Sequence, residues 1–292
     1  MVAGLPAHYI AGVMVIIRAI TSQSAVVPRR PGGQIAEDLM KFVKQADAAE
    51  RGVPRFTSLV PWQLAELIRA SRREPSLARA LLGFSRILVG GQSVPGSLLE
   101  AARDLDLRVT RTYGAAETAG GCVWDGKPLS GTEVGIVQQR IALTGPMVAG
   151  GYLDDPVRTA QSFSTRNEKR WFVSNDLGKI SDGLLLVSGR ADRVIISGGV
   201  KTDLDEIEVS LQGKYGMADI AVLSLPDAVW GESIGIIATV AISYAEAVDL
   251  IRAHFGKAAR LAWVRQDPDI PRLSSGKIDR RELQRRHGVP TS

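Results

Sequence analysis

The sequence predicts an α/β domain with a mostly parallel sheet, followed by a smaller α+β domain. Strand-like runs alternate with helix-like runs up to about residue 114, and short strands follow from about Thr132. A unit with its own strands and helices begins near Gly189. The 292 residues suffice for two cores. We therefore predict a large domain over residues 1–188, with a small β subdomain, and a C-terminal mobile domain over residues 189–292.

The large domain shows a strand followed by a helix twice. FTSLV precedes WQLAELIRA, RILVGG precedes PGSLLEAARDL, and a third β-rich run, LRVTRTYG, ends in a loop. This alternation is typical of a parallel sheet, whose ligands bind at the carboxyl ends of the strands. The runs QQRIALTG, RWFVSND and GLLLVSG then predict a β subdomain without helices between its strands.

The C-terminal unit predicts a compact mixture of strands and helices. DEIEVSLQ and AEAVDLIRAHFG have helical patterns, whereas DIAVLSLPD, SIGIIATVAI and LAWVRQ are strand-like. KIDRRELQRRHG predicts a basic, solvated terminal helix. The net charge of +5 can attract anionic substrates such as ATP or CoA, but it does not indicate nucleic-acid binding.

The single cysteine and the N-terminal segment indicate where in the cell the protein is expected. Cys122 is the only cysteine, which excludes an intrachain disulfide and favours a reducing cytoplasm. Residues 2–17 are apolar, but Arg18 ends a run shorter than the about 20 residues of a membrane-spanning helix. The run also lacks the basic start of a signal peptide. We expect a buried segment and no membrane partner.

The segment RTYGAAETAGG, residues 111–121, carries three candidate ligand contacts. Tyr113 offers a flat face to a base, Thr118 offers a hydroxyl to a phosphate, and Glu117 offers an oxygen ligand to Mg²⁺. Small residues around them let backbone approach a ligand closely. The alternative is a Gly/Ala-rich turn with an exposed acid.

The segment GRADRVIISGGVKTDLDEIE, residues 189–208, is the second candidate. Arg190 and Asp192 share a turn, and Gly198 and Gly199 free the backbone beside Lys201. The alternatives are a surface ion pair, which contributes little, and a plain glycine turn.

Three further positions are candidates for nucleotide contacts. Asp176 ends RWFVSND with a carboxylate able to accept two ribose hydroxyls, and the backbone of Gly90–Gly91 could lie along a flat base. PRLSSGKIDRREL carries Lys277 in a flexible loop before the terminal helix. A solvated surface lysine is the alternative for Lys277.

In order and spacing, these segments resemble the motif set of the adenylate-forming superfamily. LPAHYIAG, FTSLVPWQL and YGAAETAGGCVWDGKPL resemble actinobacterial-type o-succinylbenzoate–CoA ligases within it. The resemblance implies an ATP-dependent acid–thiol ligase that forms an acyl-adenylate and then an acyl-CoA in menaquinone biosynthesis. The alternatives are another acyl- or aryl-CoA ligase, or an inactive truncated paralogue that keeps a CoA or AMP surface.

The resemblance implies a nucleotide site in which two glycines line the adenine, a tyrosine stacks on it, the glycine after that tyrosine also contacts the nucleotide, and an acid and an arginine hold the ribose hydroxyls. These residues are Gly90, Gly91, Tyr113, Gly114, Asp176 and Arg190. It also implies that Glu117 holds Mg²⁺, that Thr118 contacts the α-phosphate, and that Lys277 is the catalytic lysine.

The remaining implied roles concern the transfer to CoA and the binding of the carboxylic acid substrate. Asp192 would be the hinge between the domains, and Gly198 and Gly199 would flank the path of the CoA pantetheine. His8 would lie near the acyl pocket, with a core histidine satisfied by backbone as the alternative. Asn175 stands beside Asp176 where the superfamily usually has glycine.

The resemblance further implies a Ser/Thr/Gly-rich phosphate loop ending in Pro-Lys ahead of LPAHYIAG. The 292 residues begin after that position, so we expect an N-terminally truncated large domain, from a misassigned start, a fragment or a decayed paralogue. We expect such a chain to bind ATP poorly. The implied partners are a small carboxylate, ATP and CoA, without nucleic acid, and the sequence leaves a homo-oligomer open.

Overall fold

The computed structural model describes residues 2–28, 34–49, 52–256 and 259–289. Its first sheet has seven strands: β1 Val2–Ala3, β2 Val27–Pro28, β3 Phe56–Leu59, β4 Arg86–Gly90, β5 Val109–Ala115, β6 Gly120–Trp124 and β7 Lys127–Pro128. The spatial order is β2-β1-β3-β4-β5-β6-β7. β1 to β5 pair in parallel, and β6 and β7 add antiparallel strands at one edge. The prediction of a mostly parallel sheet is confirmed.

Five helices accompany this sheet: α1 Ile10–Thr21, α2 Ile35–Ala49, α3 Pro61–Ser71, α4 Pro75–Leu82 and α5 Gly96–Arg103. α3 and α4 each begin with a proline, whose fixed φ suits the first helical position. The buried side chains of Leu67 on α3, Leu77 on α4 and Ile87 on β4 belong to one core. Buried Gln63 ties α3 to the sheet, since its side chain donates to the Gly4 carbonyl at 2.9 Å.

The apolar N-terminal segment is buried along only one face. Val15 and Ala19 of α1 are buried, whereas Ile17 and Ile20 are 42% and 70% exposed. The prediction of a buried segment is therefore correct for the face that packs on the sheet and wrong for the opposite face. Among the residues that the structure describes, no helix combines the length and apolarity needed to span a membrane.

The second sheet contains five antiparallel strands: β8 Glu133–Val137, β9 Arg140–Thr144, β10 Phe163–Arg166, β11 Lys169–Ser181 and β12 Leu184–Arg190. The order is β10-β11-β9-β8, with β12 paired to β11. The absence of helices between these strands is a wrong prediction, because α6 (Pro156–Ser162) precedes β10. Asp176 also does not end its strand, since β11 continues to Ser181 past a register shift between Val173 and Leu177.

The third sheet belongs to the C-terminal unit and has the order β14-β13-β16-β15, with β17 paired to β16. Its elements are β13 Val194–Ser197, β14 Val200–Asp203, α7 Leu204–Tyr215, β15 Ile220–Asp227, β16 Gly231–Ala238, α8 Tyr244–Phe255, β17 Leu261–Gln266 and α9 Arg280–Arg286. Ile207 of α7 and Ile251 of α8 share one core, and Leu283 of α9 lies in another. The predicted α+β unit is confirmed.

A single 3₁₀ turn, Ala191–Arg193, joins the second sheet to the third. Gly189 and Arg190 still pair with Leu177 and Asp176 in the second sheet. The division between residues 188 and 189 stays a prediction, and it falls two residues before the end of β12.

Candidate active site

Two of the predicted nucleotide-binding residues, Tyr113 and Arg190, converge on the carboxylate of a third, Asp176. The pairing of β11 with β12 sets Asp176 opposite Arg190, and Arg190 Nη1 donates to Oδ1 at 3.0 Å. Tyr113, from β5, donates its hydroxyl to Oδ2 at 2.9 Å. Ser174 Oγ accepts the backbone N–H of Asp176 at 3.0 Å and lies 3.2 Å from the Tyr113 hydroxyl. Both carboxylate oxygens of Asp176 are therefore fixed in position.

Arg190 also holds the carboxylate of Asp192. Its Nε and Nη2 donate to the two oxygens at 2.9 and 2.6 Å, the paired geometry that guanidinium groups favour. These bonds lower the pKa of Asp192 and raise that of Arg190. About half of each side chain is exposed, so the pair adds little stability by itself. Its bond to Asp176 nevertheless joins it to the cluster.

Burial and the nearby Asp176 carboxylate raise the pKa of the Tyr113 hydroxyl. The phenol therefore stays protonated at neutral pH and acts as a donor to Asp176. Its ring also packs against the core that contains Val123 and Ile141. The stacking of Tyr113 on an adenine stays a prediction.

The predicted base-lining glycines lie at the carboxyl end of β4. A Cβ on Gly90 would stand 2.4 Å from Thr112 Oγ1, so the close approach of β5 by itself requires glycine there. Gly91 has a φ of +80°, and a Cβ at this position would stand 3.7 Å from Lys277 Cε. The lysine from the C-terminal unit therefore lies beside Gly91, and its side chain is exposed.

Lys277 lies in a short hairpin, residues 271–279, which we call the Lys277 hairpin. The backbone N–H of Leu273 donates to the Lys277 carbonyl, and that of Asp279 donates to the Pro271 carbonyl, both at 2.8 Å. Against the large domain, the hydroxyls of Tyr9 and Ser274 lie 3.1 Å apart. The predicted flexible loop is thus a hydrogen-bonded hairpin that contacts the large domain.

His8 is exposed, and its ring centroid lies 4.4 Å from that of Tyr9. The alternative of a core histidine satisfied by backbone is therefore wrong, because the ring is outside the core. Through Tyr9, His8 is one residue from the contact with Ser274. Its predicted place near the acyl pocket stays a prediction.

The predicted loop after β5 is a single tight turn. A 3₁₀ turn covers Ala116–Thr118, and β6 begins at Gly120. The Thr118 hydroxyl is buried, accepts the Ala115 N–H at 2.9 Å and donates to the Gly120 carbonyl at 3.0 Å. In this arrangement it holds the turn, and its contact with an α-phosphate stays a prediction. A Cβ on Gly114 would meet the Gly120 carbonyl oxygen at 2.0 Å, so this position also requires glycine.

Glu117 is held by two contacts with the segment before α6. The Tyr152 hydroxyl donates to Oε1 at 2.6 Å, and the Ala149 N–H donates to the Glu117 carbonyl at 2.8 Å. Burial and the Glu117 carboxylate raise the pKa of Tyr152, so it stays a donor. The guanidinium of Arg158 lies 4.0 Å from the Tyr152 ring centroid.

A single carboxylate at Glu117 suits Mg²⁺ that arrives with a nucleotide. Within the described ranges, no group of three or more His, Cys, Asp or Glu residues could hold a metal ion. Mg²⁺ usually binds through one or two carboxylates together with substrate phosphates and water, so it does not need such a group. The residues present therefore fit the predicted metal.

The structure places the two glycines predicted for CoA binding in the turn between β13 and β14. Gly198 and Gly199 have φ values of +57° and +81°, and the Gly198 N–H donates to the Trp230 carbonyl at 3.1 Å. Locally this is a plain glycine turn, as the alternative stated. Its role along a pantetheine path stays a prediction.

Asp192 lies in the turn between two anchored arginines. Arg190 bonds to Asp176 in the second sheet, whereas Arg193 bonds to Glu208 of α7 at 3.2 Å and also contacts Asp205. Hinges between domains are usually a few loop or element-terminal residues, as in this turn. The hinge assignment stays a prediction that this arrangement favours.

Sequence reasoning missed three residues of the site. Ser174 could have been predicted, because it lies two residues before Asp176 and residues two apart on a strand share a face. Tyr9 gave no signal, since its partner Ser274 is 265 positions away. The same holds for Tyr152, which bonds to Glu117 across 35 positions.

Comparison with known proteins identifies the family. No family model matches the chain. A probable 2-succinylbenzoate–CoA ligase of Mycobacterium tuberculosis is 31% identical over 294 residues, covering 97% of this chain and 73% of that protein. The chain belongs to the 2-succinylbenzoate–CoA ligase family. The 2-succinylbenzoate–CoA ligase of Escherichia coli is 29% identical over 182 residues, covering 60% of this chain and 38% of that protein.

Solved structures agree with the fold of this ligase family. The o-succinylbenzoate CoA synthetase of Bacillus subtilis, in complex with its acyl-adenylate intermediate, aligns with a TM-score of 0.77 at 24% identity. ATP-bound MatB of Rhodopseudomonas palustris aligns with a TM-score of 0.79 at 19% identity. The alignments cover 97% and 98% of this chain, which spans 60% and 59% of those proteins.

Proposed function

We propose that the chain joins 2-succinylbenzoate to coenzyme A through an acyl-adenylate formed from ATP, a step of menaquinone biosynthesis. Family membership supports the reaction and the acid. The observation that carries the proposal is the position of Lys277 Cε, 3.7 Å from a Cβ built on Gly91, because it brings the implied catalytic lysine to one of the two glycines implied for the adenine. A cytoplasmic location and a homo-oligomer stay predictions.

In the first half-reaction, a carboxylate oxygen of the acid attacks the α-phosphorus of ATP and pyrophosphate leaves. Both reactants are anions, so the step needs positioning and positive charge. Lys277 supplies a mobile point charge at the phosphate or carboxylate oxygens. Glu117, oriented by Tyr152, would hold Mg²⁺, which when bound supplies further positive charge at the phosphates.

In the second half-reaction, the CoA thiolate attacks the acyl carbon and AMP leaves. Asp176 would accept the ribose hydroxyls in both half-reactions, since Tyr113 and Arg190 occupy only part of the acceptor capacity of its two oxygens. Approach of CoA requires the Lys277 hairpin to move and the Gly198–Gly199 turn to take its place, through rotation at the turn that contains Asp192.

The proposed function is tested with AMP and an acyl-adenylate analogue, because neither ligand has a β- or γ-phosphate for the protein to contact. Binding of AMP and of a non-hydrolysable sulfamoyl analogue of 2-succinylbenzoyl-adenylate is measured by calorimetry. Thioester formation from supplied 2-succinylbenzoyl-adenylate and CoA is followed in parallel. We expect the analogue to bind more tightly than AMP, and Asp176→Ala to weaken both by about 10- to 100-fold through the loss of charged hydrogen bonds.

The matched control is Asp182→Ala, in the exposed turn between β11 and β12. It should leave both affinities unchanged. Unaltered AMP binding in Asp176→Ala would contradict the nucleotide site. Equal turnover of benzoyl-adenylate and the 2-succinylbenzoyl form would contradict the proposed acid and favour a broader aryl-CoA ligase.

A further inference from the structure

Arg272 connects the Lys277 hairpin, the body of the C-terminal unit and the large domain. Nη1 donates to the Gly276 carbonyl at 2.9 Å, next to Lys277. Nη2 lies 2.5 Å from Asp219 Oδ2 as an ion pair that does not meet hydrogen-bond geometry. Its guanidinium carbon lies 4.9 Å from the ring centroid of Trp62, at the start of α3. The Arg272 side chain is only 14% exposed.

The backbone of the hairpin also lies close to this part of the large domain. Gly276 has a φ of +81°, and a Cβ built on it would stand 2.7 Å from Val60 Cγ2 and 4.0 Å from Trp62 Cε3. Glycine therefore lets the hairpin approach Val60 and Trp62. Arg272 lies over the Trp62 ring in the same contact.

The chemistry of Arg272 suits a clamp between the two domains. Its polar contacts, to Gly276 and Asp219, both lie within the C-terminal unit, so they fix the guanidinium without joining it to the large domain. The aromatic face of Trp62 is its partner in the large domain. A planar guanidinium can donate to the Gly276 carbonyl and pair with the Asp219 carboxylate while its face lies over an aromatic ring, which an ammonium cannot reproduce.

We propose that Arg272 is a positioning residue that clamps the Lys277 hairpin onto Trp62 and so holds Lys277 beside Gly91 for adenylate formation. The clamp itself follows from the contacts, whereas its kinetic consequence rests on the proposed function. Separation of the guanidinium from Trp62 is then a required step before the second half-reaction. Trp62 thereby determines how long Lys277 stays beside Gly91.

The clamp is tested by hydrogen exchange of the peptide covering residues 271–279, measured by mass spectrometry on the whole chain. The variants are Trp62→Leu, Arg272→Lys and their combination, with Arg281→Lys, an exposed position on α9, as the control. We expect Trp62→Leu to speed exchange of the hairpin amides about five- to thirty-fold, the range expected for a partly desolvated cation–π contact. The double variant should exchange more slowly than the product of the two single effects predicts.

A substitution in the large domain distinguishes a contact between the domains from one that stabilises the hairpin only from within the C-terminal unit. If Arg272 only stabilises its own hairpin, Arg272→Lys will speed exchange while Trp62→Leu leaves it unchanged, and the proposal is overturned. If the exchange rate in the double variant rises by the product of the two single effects, Trp62 and Arg272 act independently and the proposal is overturned as well. Far-ultraviolet circular dichroism checks that each variant is folded, and Trp62→Phe, which keeps an aromatic face, should give a smaller effect than Trp62→Leu.

Kinetics then separate the clamp from the proposed function. With the clamp and the ligase activity both correct, Trp62→Leu slows adenylate formation at least five-fold and leaves thioester formation from supplied adenylate unchanged. If the chain forms no adenylate in any variant while hydrogen exchange behaves as expected, the proposed function fails and the clamp stands. Equal slowing of both half-reactions would contradict a role specific to Lys277.

Discussion

At the scale of single residues, Asp176 shows how this site is built. Tyr113 and Arg190 come from different strands and each occupies one oxygen of the carboxylate. Each oxygen can accept more than one hydrogen bond, so two ribose hydroxyls can bind while both protein donors remain. The carboxylate is then oriented in advance, and a nucleotide does not have to fix its rotamer on binding.

Lys277 is the residue whose loss should separate the two half-reactions. We expect Lys277→Ala to slow adenylate formation by at least about 100-fold, because removal of one charge-stabilising donor has effects of this size. Thioester formation from supplied adenylate should be largely unchanged. Single-turnover assays of each half-reaction measure both, and an equal loss in the two would show that Lys277 does not act in the first step alone.

Tyr152 should determine how well Glu117 binds Mg²⁺. Tyr152→Phe removes the donor at 2.6 Å and frees the carboxylate to rotate. We expect the Mg²⁺ concentration for half-maximal adenylate formation to rise about ten-fold, as is typical when a group that orients a metal ligand is removed.

Tyr215→Phe is the matched control, since Tyr215 also donates to a glutamate, Glu246, at 2.8 Å but in the C-terminal unit. Its Mg²⁺ requirement should equal that of the unaltered protein. Direct Mn²⁺ binding, followed by electron paramagnetic resonance in the presence of AMP, provides a readout apart from turnover. Identical metal dependence in Tyr152→Phe and Tyr215→Phe would contradict the role given to Tyr152.

At the scale of elements, the turn Ala191–Arg193 is the short connection through which the C-terminal unit would rotate. Proline at position 192 would fix φ near the 3₁₀ value of the present arrangement, within the range of about −50° to −70°. We therefore expect Asp192→Pro to slow thioester formation about ten-fold and to affect adenylate formation much less.

Asp192→Ala separates the backbone effect from the carboxylate. It removes the acceptor of Arg190 but leaves the turn free to change its dihedral angles. Its two half-reaction rates should both stay within about two-fold of the unaltered protein, because an exposed ion pair contributes little. If Asp192→Pro slows both half-reactions equally, the hinge lies elsewhere.

The elements themselves were predictable where burial gives a clear pattern. RILVGG and DIAVLSLPD correspond to β4 and β15, because buried strands carry runs of apolar residues. FTSLV corresponds to β3, in which burial alternates from residue to residue. α6 gave no such signal, since none of its residues is buried and its start depends on the Asp155 side chain accepting the Arg158 N–H. The run RWFVSND predicted a strand ending at Asp176, whereas β11 continues through Asp176 at an irregularity in its pairing.

Part of the site was accessible to sequence reasoning and part was not. The motifs made Asp176, Arg190 and Lys277 candidates, and the structure brings Asp176 and Arg190 into contact, while the roles of all three in the reaction stay predictions. The contact between Trp62 and Arg272 joins residues from different domains with no local pattern. Such a contact depends on how two independently packed units meet, which spacing along the chain does not encode.

At the scale of the whole molecule, the contacts between the two domains include the Lys277 hairpin, the packing of α5 beside α7, and a hydrogen bond from Arg69 Nη2 to the Met217 carbonyl at 2.7 Å. The hairpin contacts are the clamp of Arg272 on Trp62, the Tyr9–Ser274 hydroxyl pair and the approach of Gly276 to Val60. Together they bring Lys277 toward the large domain. Among these contacts, the approach of Gly276 is the one that a single methyl group can obstruct.

Gly276→Ala should therefore loosen the domain contact as well as the hairpin. The added Cβ would stand 2.7 Å from Val60 Cγ2, and a φ of +81° strains any residue with a side chain. Gly256→Ala is the matched control, because Gly256 has a φ of +76° and, among the residues that the structure describes, no atom beyond its chain neighbours lies within 4 Å of a built Cβ. Both variants should lose about 1 kcal/mol of unfolding free energy from backbone strain.

Only Gly276→Ala should also slow adenylate formation, by about ten-fold or more, because displacement of the hairpin moves Lys277 away from Gly91. Thioester formation from supplied adenylate should stay close to normal, since that half-reaction requires the hairpin to leave. Denaturant unfolding and single-turnover kinetics on the two variants measure the two effects separately. If Gly256→Ala slows adenylate formation as much as Gly276→Ala does, general backbone strain explains the loss. The contact between the hairpin and Val60 would then have no part in positioning Lys277.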